Sequence, residues 1–113
     1  MEENCIFCKI IEGKIPSDKV YEDDNILAFN DINPAAPIHV LVIPKKHVEN
    51  ILMVDDKNIP NDIFEGIKKV ADILNIEKSG FRVITNCGKD AGQEVMHLHF
   101  HILAGENLGE KIK

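Results

Sequence analysis

The stretch "MHLHFHILAG" (96–105) carries His97, His99 and His101 at every second position, with Leu98, Phe100 and Ile102 between them. No other feature narrows the fold of this chain as much. Side chains alternate faces along a β-strand, so a strand here puts the three imidazoles on one face and the three apolar side chains on the other. The apolar face asks for a core to cover it. Successive imidazoles stand roughly 6.5–7 Å apart along a strand, so neighbours can meet one small ligand, whereas gathering all three about one metal atom would strain it. A half-exposed strand that merely uses histidine as its polar partner explains one such residue better than three in strict alternation. Metal ligation, phosphate chemistry, or both, are left.

The rest of the chain sets bounds. Its 113 residues make one domain, 1–113, with a modest core that suffices without cross-links. The formal net charge is −6, and no basic cluster is longer than a lysine pair. Polymeric nucleic acid, which needs a positive footprint, is therefore not an expected partner, while a single nucleotide is compatible. No apolar run approaches the roughly 20 residues that span a bilayer, so no membrane partner is expected. The acidic start "MEENC" resembles neither a signal peptide nor a transit peptide, and a cytoplasmic location is expected. Three cysteines, an odd number, do not read as a secreted disulfide framework.

Along the chain, "CIFCKIIEG" reads as a Cys pair on a short apolar helix or turn ended by Gly13, with Ile6, Phe7, Ile10 and Ile11 at helical spacing. "KVYED" and "ILAFND" read as strands joined by an acidic turn, and "INPAAP" as a loop, since closely spaced prolines cannot continue a ladder. "IHVLVIP" is a nearly continuous apolar run, hence a central strand stopped at Pro44. "KKHVENILMV" is expected to form a short helix. "PNDIFEGIKKVADILN" is the main helix, with Pro60 in its first turn and Ile63, Phe64, Ile67, Val70, Ala71 and Leu74 as its stripe. "FRVIT" is a strand, "NCGKDAGQE" a glycine-bearing loop, and "AGENLGEKIK" a polar tail. Strands, helix and strands with short links mean an α+β domain, an antiparallel sheet with one main helix on a face.

Cys5 and Cys8 have the spacing that lets two thiolates grip one zinc from a single turn. A redox pair would use the same spacing, but the βαβ context of a thioredoxin-like motif is missing. Two reduced, buried thiols are the plain alternative. No second Cys pair exists to close a tetrahedral site, so the further ligands would be histidines: His39, His47 or one of the alternating three. Gly88 and Gly92 allow backbone N–H groups to approach a phosphate closely. Asp31, at a strand end, can accept ribose hydroxyls or merely cap a turn. Neutral imidazole can attack phosphorus to form a phosphoramidate that water then cleaves, provided its other nitrogen donates to a fixed acceptor. A neighbouring imidazole can then protonate the leaving group or steady the phosphate oxygens.

These residues resemble a known family. "HLHFHIL" matches in full the signature of the histidine-triad (HIT) nucleotide-binding proteins. "DINPAAPIHVLVIPKKH" and "NCGKDAGQE" resemble further blocks of its Hint-like branch, and "CIFCKIIEGKIPSDKVYEDD" resembles the N-terminus of bacterial-type members. The resemblance covers roughly residues 5–105. It implies a five-stranded antiparallel sheet with two helices, paired in a homodimer into a ten-stranded sheet. It implies hydrolysis of adenosine or guanosine 5′-phosphoramidates, releasing AMP or GMP. On that resemblance His99 is the nucleophile, His101 contacts the phosphate and assists the leaving group, His97 supports His99 through the backbone, and His39 is a fourth histidine beside them. Asp31 would bind the ribose hydroxyls, Phe29 and Ile32 would flank the base, and Asn86, Gly92, Gln93 and Glu94 would line the phosphate. Cys5, Cys8, His47 and His97 would hold a structural zinc, and no organic cofactor is implied. Glu94 stands where animal members have a serine near the leaving group, and the tail lacks the aromatic and proline residues with which some members reach the partner subunit. Two other readings are a dinucleoside polyphosphate hydrolase, whose branch lacks the C-x-x-C, and a nucleotide-binding interaction module with incidental catalysis.

Overall fold

In the computed structural model, which describes residues 3–112, a short helix α1 (Ile6–Ile11) precedes strands β1 (Lys19–Glu22), β2 (Ile26–Asn30) and β3 (Ile38–Pro44). Helix α2 (Asn58–Leu74) follows, then β4 (Arg82–Ile84) and β5 (Phe100–Ala104). The strands form one sheet in the order β1-β2-β3-β5-β4, and every neighbouring pair is antiparallel. This is the expected α+β architecture.

The period of two divides the sheet into two apolar faces. Ile26, Ala28, Val40, Val42, Ile102 and Ala104 pack under α2, against Ile59, Ile63, Ile67, Val70 and Ala71. Leu27, Phe29, Leu41 and Ile43 point the other way and are covered by Phe7, Cys8 and Ile10 of α1 and by Cys5 at its N-cap. A strand buried on both faces reads as a continuous apolar run, which is why "IHVLVIP" shows no alternation. The helix stripe differs from expectation at one end. Ile59 is buried, while Phe64 is 63% exposed, because α2 begins at Asn58 and its buried face runs through Gly66, whose ideal Cβ would stand 3.0 Å from Ile26 Cγ2.

Two segments depart from the sequence reading. "KKHVENILMV" is not a helix: only Ile51–Met53 forms a single 3₁₀ turn, capped by Asn50. Upstream of it the chain is held open, since the Val48 carbonyl accepts from the Leu98 N–H (2.7 Å) and the His47 ring turns toward the cysteines. The ladder of the histidine strand also starts late, at Phe100. In the register Val42↔Phe100, Leu98 would stand opposite Pro44, which has no N–H to offer a ladder. His97, Leu98 and His99 therefore run beside β3 without pairing. Their side chains still alternate, with Leu98 under α2 and the His97 and His99 rings against Phe7.

Candidate active site and metal centre

On the face away from α2, the register aligns Phe29, Leu41, His101 and Ile84 in one row across four strands. His39 pairs with Leu103 and so lies diagonal to His101. Above this row is a cleft of about 440 Å³ with an apolar half, including Phe7, Ile10, Phe29 and Leu41, and a polar half, including Asp31, Asn86, Glu94, His99 and His101.

The hydrogen bonds fix which nitrogen of each ring carries the proton. The Ala35 N–H donates to His39 Nδ1 (2.9 Å). A ring that accepts at Nδ1 is neutral and bears its proton on Nε2. His39 Nε2–H then donates to His101 Nδ1 (2.9 Å), which leaves His101 with its proton on Nε2. His99 Nδ1 meets the His97 carbonyl at 2.7 Å. A carbonyl only accepts, so His99 donates from Nδ1, and in its neutral form Nε2 holds a free lone pair. His97 Nε2 likewise donates to the Pro44 carbonyl (2.8 Å), freeing Nδ1. One lone pair (His99) and one N–H (His101) thus lie side by side, with ring centroids 5.1 Å apart. Burial lowers His101 to about 4, with the neighbouring His99 and His39 pushing the same way. Burial also lowers His39, against the opposing pull of Asp31. Both rings are neutral at pH 7, as the hydrogen-bond chain requires.

Beside the cleft, His97 Nδ1 approaches Cys5 Sγ (3.3 Å), Cys8 Sγ (3.6 Å) and His47 Nδ1 (3.1 Å), and Cys8 Sγ lies 3.4 Å from His47 Nδ1. The four ligand atoms lie within 4.8 Å of one another. In a tetrahedral site with bonds near 2.3 Å to sulfur and 2.05 Å to nitrogen, S···N edges come to roughly 3.5 Å and N···N edges to roughly 3.3 Å. The observed spacings fit one cation at the centre. The second shell fits as well, because the Pro44 carbonyl orients His97 with its lone pair inward. None of the three cysteines is in a disulfide. Asp31, His39 and His101 also cluster, but His39 keeps its proton on the nitrogen that faces the other two, which makes this group a hydrogen-bonded chain.

The other residues singled out from sequence fall in different places. Asp31 Oδ1 accepts from the Asn33 N–H (2.8 Å) and its Oδ2 lies 3.5 Å from His39 Nε2. Ile32 stands at the mouth, 92% exposed. Gly92, at φ +80°, lines the cleft with Asn86 and Glu94. Gln93 does not line it. Its buried carboxamide accepts from the Gly88 N–H (2.9 Å) and donates to the carbonyls of Glu49 (2.7 Å) and Val95 (3.0 Å). Phe7, Ile10 and Leu41 were missed as cleft residues. Phe7 carried a partial signal: it lies between two cysteines that share a site with His97, as does Ile6, but Ile6 is 47% exposed and Phe7 alone turns its ring to the histidines.

The HIT domain model matches residues 12–108. The chain belongs to the HIT family. Cys5 and Cys8 lie ahead of the matched residues, whereas all five histidines of this HIT protein lie within them. It is 48% identical over 111 residues to an uncharacterised HIT-like protein of Methanocaldococcus jannaschii, covering 96% of this chain and 85% of that one. A HIT family hydrolase from Clostridium thermocellum superposes with a TM-score of 0.96 at 50% identity, over the whole of both chains. A histidine triad protein from Clostridium difficile superposes with a TM-score of 0.94 at 54% identity, covering 99% of each chain.

Proposed function

We propose that this HIT protein is a hydrolase of purine nucleoside 5′-phosphoramidates that works through a nucleotidyl–His99 intermediate. The observation that carries the reading is the pair of complementary tautomers: a lone pair on His99 Nε2 beside an N–H on His101 Nε2. His99 Nε2 attacks phosphorus and the P–N bond to the amine breaks. The positive charge that builds on the His99 ring is met by the His97 carbonyl, already 2.7 Å from Nδ1. The His101 N–H steadies the phosphoryl oxygens and the departing nitrogen. Water then attacks the phosphorylated imidazole and releases AMP or GMP. The proton taken up by the leaving amine is balanced by the one that water gives up. The apolar half of the cleft, with Phe7 and Phe29 edge-to-face at 5.6 Å, suits a flat base, and Asp31 at its polar edge suits ribose hydroxyls.

In the same reading Cys5, Cys8, His47 and His97 hold a structural zinc. The ion would pin α1, and with it Phe7, against the catalytic segment. A homodimer belongs to the reading too. β4 is a sheet edge, and Val83 on it and Phe81 just before it are 41% and 37% exposed, an edge that pairing would cover. The resident work of His97 is then structural on both counts, since it ligates through Nδ1 and orients His99 through its carbonyl.

The test of the activity is AMP release from adenosine 5′-phosphoramidate by the wild type and by His99→Ala. The variant is expected to lose about 10³-fold or more in turnover while still binding AMP. Equal turnover by both proteins would sink the covalent route. Binding without turnover by either would leave a nucleotide-binding module. Faster turnover of dinucleoside polyphosphates than of any phosphoramidate would move the substrate class.

A further inference from the structure

We infer that Cys5 and Cys8 are an oxidation site through which a hydroperoxide disarms His99. The inference rests on the reading that the Cys5, Cys8, His47 and His97 tetrad holds a metal, and it adds a means of control to that centre.

Three observations carry it. The first is access. A second cavity, of about 700 Å³, is lined by Cys5, His47, Met53 and Met96 and borders the cleft at Ile6, Glu94 and Val95. Cys8 does not line it and is 0% exposed, against 8% for Cys5. The second is the geometry of the pair. Cys5 is the N-cap of α1 and its Sγ accepts from the Cys8 N–H (3.3 Å), so both sulfurs belong to one turn. The third is coupling. His97 supplies Nδ1 to the tetrad and its carbonyl to His99. Phe7, between the two cysteines, lies with its ring centroid 5.1 Å from that of His99.

The chemistry follows from which sulfur a reagent meets first. The Cys5 thiolate attacks the peroxide oxygen, the O–O bond breaks, and the departing alkoxide takes a proton from solvent. The Cys8 thiolate attacks the sulfenic sulfur and displaces hydroxide, which is protonated to water. Two sulfurs have given one electron each, the peroxide has taken both, and a disulfide has formed. A disulfide sulfur is a poor ligand, so two histidines alone face the cation and it leaves. Helix α1 then loses its tie to His97, and the His97 carbonyl no longer holds the His99 proton on Nδ1. A thiol reductant and zinc reverse the sequence.

The experiment treats the zinc-loaded protein with one equivalent of hydrogen peroxide. It follows zinc with a chromophoric chelator, thiols by mass spectrometry, the His99 tautomer by ¹⁵N NMR, and turnover. Trypsin cuts after Lys9, so Cys5 and Cys8 share one peptide and Cys87 falls in another. Expected are one zinc released per disulfide in residues 1–9, an unreacted Cys87, a lost His99 Nδ1–H signal, and turnover down about tenfold or more. All are to be restored by reductant with zinc. In Cys8→Ser, which lacks the resolving thiol, sulfenic acid is to be trapped by dimedone at Cys5, whereas Cys5→Ser traps none at Cys8. Oxidation of Cys87 ahead of the pair would overturn the inference. So would a disulfide and zinc release that leave the His99 signal in place. A protein that takes up no zinc removes the ground of both this inference and the metal reading. If the untreated protein turns over no phosphoramidate, the activity reading fails by itself, and zinc, disulfide and tautomer still decide the oxidation site.

Discussion

A single backbone amide, the N–H of Ala35, sets the protonation of two side chains. It forces His39 to carry its proton on Nε2, which in turn forces His101 to accept at Nδ1 and to present an N–H. Protonating His101 would place a second N–H against His39, and burial already lowers His101 to about 4. The groups facing this pair are Asp31, which raises both rings, and His99, which lowers His101. The pH dependence has a definite sign. Both rings take up protons less readily in the folded protein than at 6.5 in the unfolded chain. Between about pH 4 and 6.5 the unfolded chain therefore binds more protons, and stability rises with pH across that window. It is full above 6.5 and falls as the pH drops. Urea unfolding of the metal-free protein at several pH values is expected to show this slope, to which His97, also lowered to about 4 by burial, contributes, and His101→Asn is expected to reduce it. A stability that is level from pH 7 to 5 would contradict the hydrogen-bond chain.

Among the elements, two segments outside the strands and the main helix do the positioning. The segment after Pro44 and the segment before β5 have no ladder between them. They are joined instead by the Val48–Leu98 backbone bond and by the carboxamide of Gln93. Gln93 ties the turn at Gly88 to Glu49 and Val95, so it shapes the phosphate-side loop from beneath and does not touch the cleft. Its replacement by leucine takes the partner from the half-buried Gly88 N–H and from the Glu49 and Val95 carbonyls. Gln93→Leu is expected to lose about 1–2 kcal/mol in urea unfolding. It should also weaken AMP binding, since Gly92 and Glu94 flank it. Unchanged binding with lost stability would mean that the loop is set by its backbone alone.

At the scale of the whole molecule, the tetrad closes one long circuit: Cys5 and Cys8 at one end of the chain meet His97 near the other. The folded chain has already closed that loop, so a ligand bound only by the folded state adds to its stability by mass action. Chelation is expected to lower the melting temperature by more than about 10 °C. It should also raise hydrogen exchange first in Ile6–Ile11. A melting point indifferent to chelator would argue against a metal at the tetrad. The β4 edge bears on assembly. Wild type is expected to sediment as a dimer and Val83→Lys as a smaller species, and a monomeric wild type would remove the dimer from the reading.

The amino-acid sequence by itself determined the sheet, its main helix and the two chemical faces of the histidine segment, because these follow from periods of two and 3.6 that survive any tertiary context. It also marked the histidines and the Cys pair, since few solvated surfaces concentrate such residues. Phe64 and the expected helix at "KKHVENILMV" went astray because each depends on what lies opposite. A helix face is chosen by the sheet that it meets, and Val48 is held by a carbonyl bond to a residue fifty positions away. The tautomers were decided by tertiary structure alone. They depend on the Ala35 amide and on the carbonyls of Pro44 and His97, and backbone groups are the same in every residue, so no pattern of side chains announces where they will point.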